Sequence, residues 1–207
     1  MQPSRALSVG ALLVLGLLAW SGWQPFDRAT WLLEVAPVLG VLPLLWFTRR
    51  SHPFTPLLYW LVLAHCVVLI IGGAYTYARV PLGFAVQDVL HLARNPYDRI
   101  GHFMQGFVPA MAAREILLRG KHVRSGRMLA FLSLCVVMTV SSCYELIEWL
   151  VAVLIGQGAD EFLGTQGDVW DTQWDMFMAL VGGSASLLVL SRWQDRQLQR
   201  TAVDISE

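Results

Sequence analysis

Carboxylates and a single imidazole recur at helical spacing inside three apolar segments of the chain. The segments read NPYDRIGHFMQGF, SSCYELIEWL and GDVWDTQWDM. Their acidic residues and histidine are Asp98, His102, Glu145, Glu148, Asp168, Asp171 and Asp175. Within each segment these residues are three, four or seven positions apart, so they share one face of a helix. Glu34, in another apolar segment, is expected to approach the same region. An ionisable group at the centre of a membrane helix costs about 2.5–3.5 kcal/mol, and such groups usually mark a functional site.

Several carboxylates near one imidazole repel one another at low dielectric. They must therefore bind a cation, share protons or pair with Arg94 and Arg99. One histidine with several carboxylates suits Zn²⁺, Mn²⁺ or Mg²⁺, and differs from a closed cysteine-rich zinc site. We predict a divalent metal as cofactor. The predicted ligands are His102, Glu145, Asp171 and Asp175. A cluster of carboxylates that share protons is the alternative that needs no metal.

Other residues of these segments are assigned to catalysis or to support of the site. Glu148 or Asp98 is predicted to act as general base. The predicted supporting residues are Arg99, Gln105, Tyr144 and Asp168. Two of the acids also have structural readings. Asp98 follows Asn95-Pro96 and would be a first-turn acid, and Asp168 has capping-box spacing from Thr165. Glu145, Glu148 and Asp175 have no such capping role, which favours function for them.

The composition predicts that membrane helices position these residues. Apolar residues make up 56% of the 207 and charged residues 14%, against about 25% charged in soluble domains. Six segments approach the 17–25 residues that a spanning helix requires. They are 6–23, 30–47, 55–74, 98–118, 128–155 and 171–191. We therefore predict an all-α, polytopic membrane protein with six transmembrane helices in a single domain, 1–207. A cleaved signal peptide is the alternative for the first segment, but Trp20 and Trp23 favour a retained helix.

Basic residues predict the orientation. Eleven of the 15 Lys and Arg residues fall on one side of the six-span arrangement and four on the other. The positive-inside rule then places both termini in the cytoplasm, with 192–207 as a cytoplasmic tail. This polar tail is expected to be a helical extension of the last span that frays. Most of the acidic residues lie near the outer ends of the spans, which brings the three polar faces to a similar depth. Zero net charge gives no sign of nucleic-acid binding.

Small residues predict close helix contacts. The pairs Gly72-Gly73 and Gly182-Gly183 lie within apolar segments, where glycine lets two helix backbones approach each other. Neither pair forms a phosphate-binding motif. His65 is predicted to be a core residue.

The C-terminal half resembles the YjdF-type bacterial inner-membrane proteins. The matching stretches are NPYDRIGHFMQGFVPA, AREILLRG, SCYELIEW and GQGADEFLGTQGDVWDTQWDM. This resemblance implies a multi-pass protein of the bacterial inner membrane that contacts membrane lipids, and it names no substrate.

More distantly, the layout is similar to the VanZ-like membrane proteins, which are associated with glycopeptide resistance. Asp98, His102, Glu145, Asp171 and Asp175 would be the counterparts of the polar residues in that family. The chain departs from the family pattern by having Arg99 in place of a lysine and no asparagine at the expected place in the last span.

Three functions follow from these features. The first is a metal-dependent enzyme acting on a lipid-linked envelope molecule at the outer leaflet. The second is a transporter that relays protons or cations through the same residues. The third is a non-catalytic membrane scaffold whose acids form a rigid network with Arg94 and Arg99.

Overall fold

A computed structural model describes residues 5–155 and 165–204. Within these residues the chain forms seven helices and no strand. They are α1 Arg5–Trp23, α2 Arg28–Thr48, α3 Pro56–Ala74, α4 Pro81–Leu90, α5 Tyr97–Arg119, α6 Arg127–Ile155 and α7 Asp171–Asp204. Five of them, α1, α2, α3, α6 and α7, are long and apolar enough to cross a membrane. The predicted all-α membrane architecture is therefore confirmed.

Two elements differ from the expected segments. Helix α4 lies between the third and fourth predicted spans and, at 10 residues, is too short to cross a bilayer. It begins at Pro81 and ends at Leu90, and the capping residue His91 that follows has a left-handed φ of 52°. Helix α7 continues to Asp204, through the segment predicted as a tail. Residues 205–207 of that tail, and 156–164 of the stretch that resembles the YjdF-type family, lie outside the described residues.

Helices α5 and α7 form the centre of the fold and run parallel to each other. A Cβ atom on Gly106 of α5 would lie 1.8 Å from the carbonyl oxygen of Ala179, and one on Gly182 of α7 would lie 2.0 Å from that of Phe103. Such distances mean that the two backbones touch. The role predicted for Gly182 is confirmed. A Cβ atom on Gly183 would instead meet side chains of α6, Leu134 at 3.1 Å and Val137 at 3.2 Å.

The remaining helices surround this pair. Helix α3 packs against α5, α1 and α2 pack against α3, and α6 packs against both α5 and α7. Buried apolar side chains such as Leu58, Ile70 and Met111 fill the contact between α3 and α5. The starts of α2, α5 and α7 and the ends of α3 and α6 thereby meet at one end of the bundle, which we call the His102 end.

A second buried polar group joins the helices at the opposite end, which we call the Glu115 end. The Glu115 carboxylate is fully buried and accepts hydrogen bonds from Thr55 N (2.8 Å), Thr55 Oγ1 (2.7 Å) and Gln194 Nε2 (3.1 Å). Arg119 pairs with it at 3.2 Å. Arg114 reaches Gln194 Oε1 at 2.8 Å and Asp195 Oδ1 at 2.7 Å. These contacts tie the start of α3 and the last part of α7 to the end of α5.

Asp27 caps helix α2, and removing this cap is expected to have a small, pH-dependent effect. Its carboxylate accepts a hydrogen bond from Thr30 N at 2.7 Å, which lowers the pKa of Asp27 below its ordinary value of 3.8. The stabilisation is therefore complete above that value and is lost as the pH falls through the lower pKa of the folded state. Asp27→Ala should cost about 1 kcal/mol at pH 7, measured by thermal unfolding in detergent. Asp27→Asn should keep the cap and lose the pH dependence. Equal stability of the wild type, Asp27→Ala and Asp27→Asn at pH 7 would contradict the capping role.

Candidate functional site

The His102 imidazole lies among carboxylates from three helices. Its Nε2 is 3.5 Å from Asp98 Oδ1 and 3.8 Å from Asp175 Oδ2, and its Nδ1 is 3.8 Å from Glu145 Oε1. These four residues are buried, each at most 7% exposed. Asp98 and His102 come from the first turns of α5, Glu145 from α6 and Asp175 from α7. These side chains, which the sequence predicted to lie on one face of each helix, do meet around His102.

Asp98, His102 and Asp175 present one ligand atom each within 4.8 Å of one another, a group that has the size of a metal site. Two carboxylate oxygens beside it, Asp175 Oδ1 and Glu145 Oε1, are buried and have no hydrogen-bond partner among the described residues. A buried oxygen without a partner is costly, so a proton or a cation has to satisfy it. The donor set of one imidazole and several carboxylates fits a divalent cation.

Gln105 orients the imidazole. Its Oε1 lies 3.1 Å from His102 Nδ1. In a neutral imidazole, Nδ1–H donates to this oxygen and the Nε2 lone pair faces Asp98 and Asp175. Histidines that bind metals almost always have such a partner on the second nitrogen. The supporting position predicted for Gln105 therefore has a specific geometric basis.

Arg94 neutralises the acids on the other side of Asp98. Its guanidinium pairs with Asp171, lies 3.2 Å from Asp98 Oδ2 and 3.6 Å from Asp168, and donates to the Thr165 carbonyl oxygen at 2.9 Å. Asp98 therefore uses Oδ2 for Arg94 and Oδ1 for His102. Asp171, which was predicted as a metal ligand, faces Arg94 and lies outside the compact group of three. The pairing of Arg94 with the acids was one of the alternatives expected from the sequence, and it accounts for Asp171 and for one oxygen of Asp98.

Asp168 and Arg99 form the solvent-facing edge of this network. Arg99 pairs with Asp168 at 3.1 Å, with side chains 31% and 22% exposed, and lies over the Trp174 ring at 5.1 Å. Asp168 also accepts a hydrogen bond from Trp170 N at 3.0 Å in the turn before α7. These contacts hold the entry of α7 against the start of α5.

Tyr144, Glu34 and Glu148 line a cavity beside the histidine. The Tyr144 hydroxyl donates to Glu34 Oε2 at 3.1 Å, and the Tyr144 and His102 rings are 6.4 Å apart, edge to face. Glu148 is half-buried in the cavity wall. The cavity has a volume of about 360 Å³ and reaches His102 and Asp98. The expectation that Glu34 approaches the site is confirmed, and Glu148 lines the same cavity.

These helices and this buried polar group define a multi-pass integral membrane protein with a carboxylate–imidazole pocket. The chain belongs to the protein family described as "Predicted membrane protein (DUF2238)", and the family model matches residues 6–196. It is 54% identical over 194 residues to the "Inner membrane protein YjdF" of Escherichia coli (strain K12). The aligned region covers 94% of this chain and 93% of that protein. No solved structure matches the chain.

The comparison confirms the resemblance to the YjdF-type proteins and the predicted location, the bacterial inner membrane with several spans. The similarity to VanZ-like proteins stays a hypothesis.

Proposed function

We propose that this protein binds a divalent cation through Asp98, His102 and Asp175 and uses it on a lipid-linked envelope molecule. The observation that carries the proposal is the compact group of three ligand atoms, within 4.8 Å of one another, beside two buried carboxylate oxygens that have no hydrogen-bond partner among the described residues. Glu145 lies outside this group of three, with its Oε1 3.8 Å from Nδ1 on the other side of the imidazole ring.

The proposed topology has six spans, with both termini in the cytoplasm. Helix α5 carries several charged residues, yet it runs beside α7 over its length: Gly106 contacts Ala179, and Arg114 contacts Gln194. A helix parallel to a spanning helix, with contacts at both ends, crosses the same layer. The distribution of basic residues between the spans supports a periplasmic position for the His102 end.

The proposed chemistry is hydrolysis or transfer at an ester or phosphoester bond. A bound divalent cation would polarise the reacting oxygen and lower the pKa of a bound water. Glu148, which lines the cavity, would accept the proton of that water. Gln105, 3.1 Å from Nδ1, would leave Nε2 of His102 available to hold the cation, and Arg94 would hold Asp98 in place from the opposite side.

A structural polar network is the second candidate function. Arg94 pairs with Asp171 and with Asp98, so part of the negative charge is neutralised without any metal. In this alternative the protein is a membrane scaffold, and the remaining carboxylates share protons. Metal binding distinguishes the two candidates.

Metal titration of the detergent-purified protein tests the proposal. We expect one Mn²⁺ or Zn²⁺ per chain, a loss of affinity of about 100-fold or more in His102→Ala and Asp175→Asn, and a loss of about 10–100-fold in Gln105→Leu. His122→Ala serves as the control, because His122 is an exposed loop histidine. Every variant is compared after size-exclusion chromatography shows a single folded species. Absence of stoichiometric metal, or affinity unchanged in His102→Ala and Asp175→Asn, would support the structural network instead.

A further inference from the structure

We propose that the cavity beside His102 holds one hydrocarbon chain of a phosphate-bearing membrane lipid, which enters sideways from the bilayer between α2 and α6. Its volume of about 360 Å³ is at the lower end of the range for small-molecule sites and suits a single chain. The position of the chain follows from the cavity alone. The position of the phosphate rests on the proposed metal site.

The walls of the cavity change from polar to apolar along α5, α6 and α2. On α5, His102 and Gln105 are followed by Val108, Ala112 and Ile116. His102 and Ile116 are 14 residues apart, which corresponds to about 21 Å along the helix. The cavity is therefore elongated parallel to the helices, as a lipid chain is in a bilayer.

Helices α6 and α2 show the same change from polar to apolar residues along the cavity. On α6, which runs in the opposite direction, Val136 and Val140 precede Tyr144 and Glu148. On α2, Glu34 precedes Pro37 and Val41 on one helix face. All three helices thus present polar groups at the His102 end and apolar groups further along. An amphiphile with its head at His102 matches this arrangement, whereas a small polar solute does not.

The cavity opens on the lipid-facing surface. Val136, Val140 and Ile116 line it and are nevertheless 39%, 40% and 52% exposed, and Pro37 across from them is exposed as well. Residues exposed on membrane-spanning helices contact lipid, so the opening between α2 and α6 leads into the hydrocarbon layer. A hydrophobic chain would enter there without crossing water.

A polar link closes the His102 end of this opening. Tyr144 of α6 donates its hydroxyl hydrogen to Glu34 of α2, whereas apolar residues, Val41 and Val140, border the opening further along. The head of the lipid would pass this link to reach His102. Because Glu34, Asp98 and Glu148 are all acidic, a phosphate is attracted to this end only when a cation is bound.

Photolabelling in vesicles tests the inference. The probe is a phospholipid that carries a diazirine in one acyl chain, in vesicles of phosphatidylethanolamine and phosphatidylglycerol with Mn²⁺, and adducts are mapped by mass spectrometry. We expect adducts on the cavity side of α5 between Val108 and Ile116. Val140→Trp and, independently, Ala112→Phe should fill the cavity and lower these adducts about tenfold. Leu188→Trp is the control, because Leu188 is 84% exposed on α7 and outside the cavity.

The outcomes separate this inference from the proposed function. Adducts that persist when a chelator removes the metal would support the chain site even if no metal function exists. Stoichiometric metal binding with cavity adducts unchanged by both filling variants would overturn the chain site and leave the metal proposal intact. A diacylglycerol with the same diazirine and no phosphate should label the cavity about tenfold less when Mn²⁺ is present, and equal labelling would overturn the phosphate assignment.

Discussion

Gly106→Ala is expected to destabilise the protein by about 3 kcal/mol or more, the upper range for overpacking of a well-packed contact. The new methyl group would lie 1.8 Å from the carbonyl oxygen of Ala179, and both atoms belong to rigid helix positions. Relief of this overlap requires α5 and α7 to separate, which would loosen the central contact of the fold. Gly182→Ala, at 2.0 Å from the Phe103 carbonyl oxygen, should have a similar effect.

Gly40→Ala is the matched control for this prediction. It places the same methyl group in helix α2, where nothing lies within 4 Å. Because alanine favours helix by about 1 kcal/mol over glycine, this variant should be as stable as the wild type or slightly more stable. Thermal unfolding in detergent, followed by circular dichroism, measures all three variants. Equal stability of Gly106→Ala and Gly40→Ala would show that α5 and α7 are not in backbone contact.

Glu115→Ala is expected to cost about 3–5 kcal/mol, because it removes one partner of a buried, charged hydrogen-bond network. Thr55 N, Thr55 Oγ1 and Gln194 Nε2 would lose their acceptor at a site with no exposure. Glu115→Gln keeps one carbonyl oxygen and should cost less, about 1–3 kcal/mol. The same unfolding experiment measures these losses.

Asp195→Asn is the control at the Glu115 end. Asp195 pairs with Arg114 at 2.7 Å, but its side chain is 40% exposed, so its loss should cost about 1 kcal/mol or less. Since Glu115 is at the far end of the bundle from His102, folded Glu115→Gln should bind metal like the wild type. A Glu115→Ala variant no less stable than Asp195→Asn would contradict the buried network.

The apolar segments of the sequence predicted most helices well. The fourth predicted span, 98–118, corresponds to α5 Tyr97–Arg119, and the fifth, 128–155, to α6 Arg127–Ile155. Helix α4 was not predicted, because ten residues between two longer apolar segments resemble a loop that contains several hydrophobic residues. The tail after Ser191 was expected to extend the last helix, and α7 does continue to Asp204. Polar residues after Ser191 do not suggest burial, although Gln194 is fully buried against α5.

The candidate site was predicted in part. Periodicity placed Asp98 and His102 on one face, and depth along the spans brought Glu145 and Asp175 to the same level. Periodicity also grouped Asp171 with Asp175, since both lie on one face of α7. The structure separates them, because Arg94 pairs with Asp171.

The sequence by itself determined that this is a helical membrane protein with acidic groups near one end of its spans, because hydropathy and helical spacing are local properties. Only the tertiary structure decided which acids meet His102, which pair with Arg94, and that an apolar cavity opens between α2 and α6. It also decided that Glu115 and Arg114 join the helices at the opposite end. These features depend on contacts between helices far apart in the chain, which local spacing does not specify.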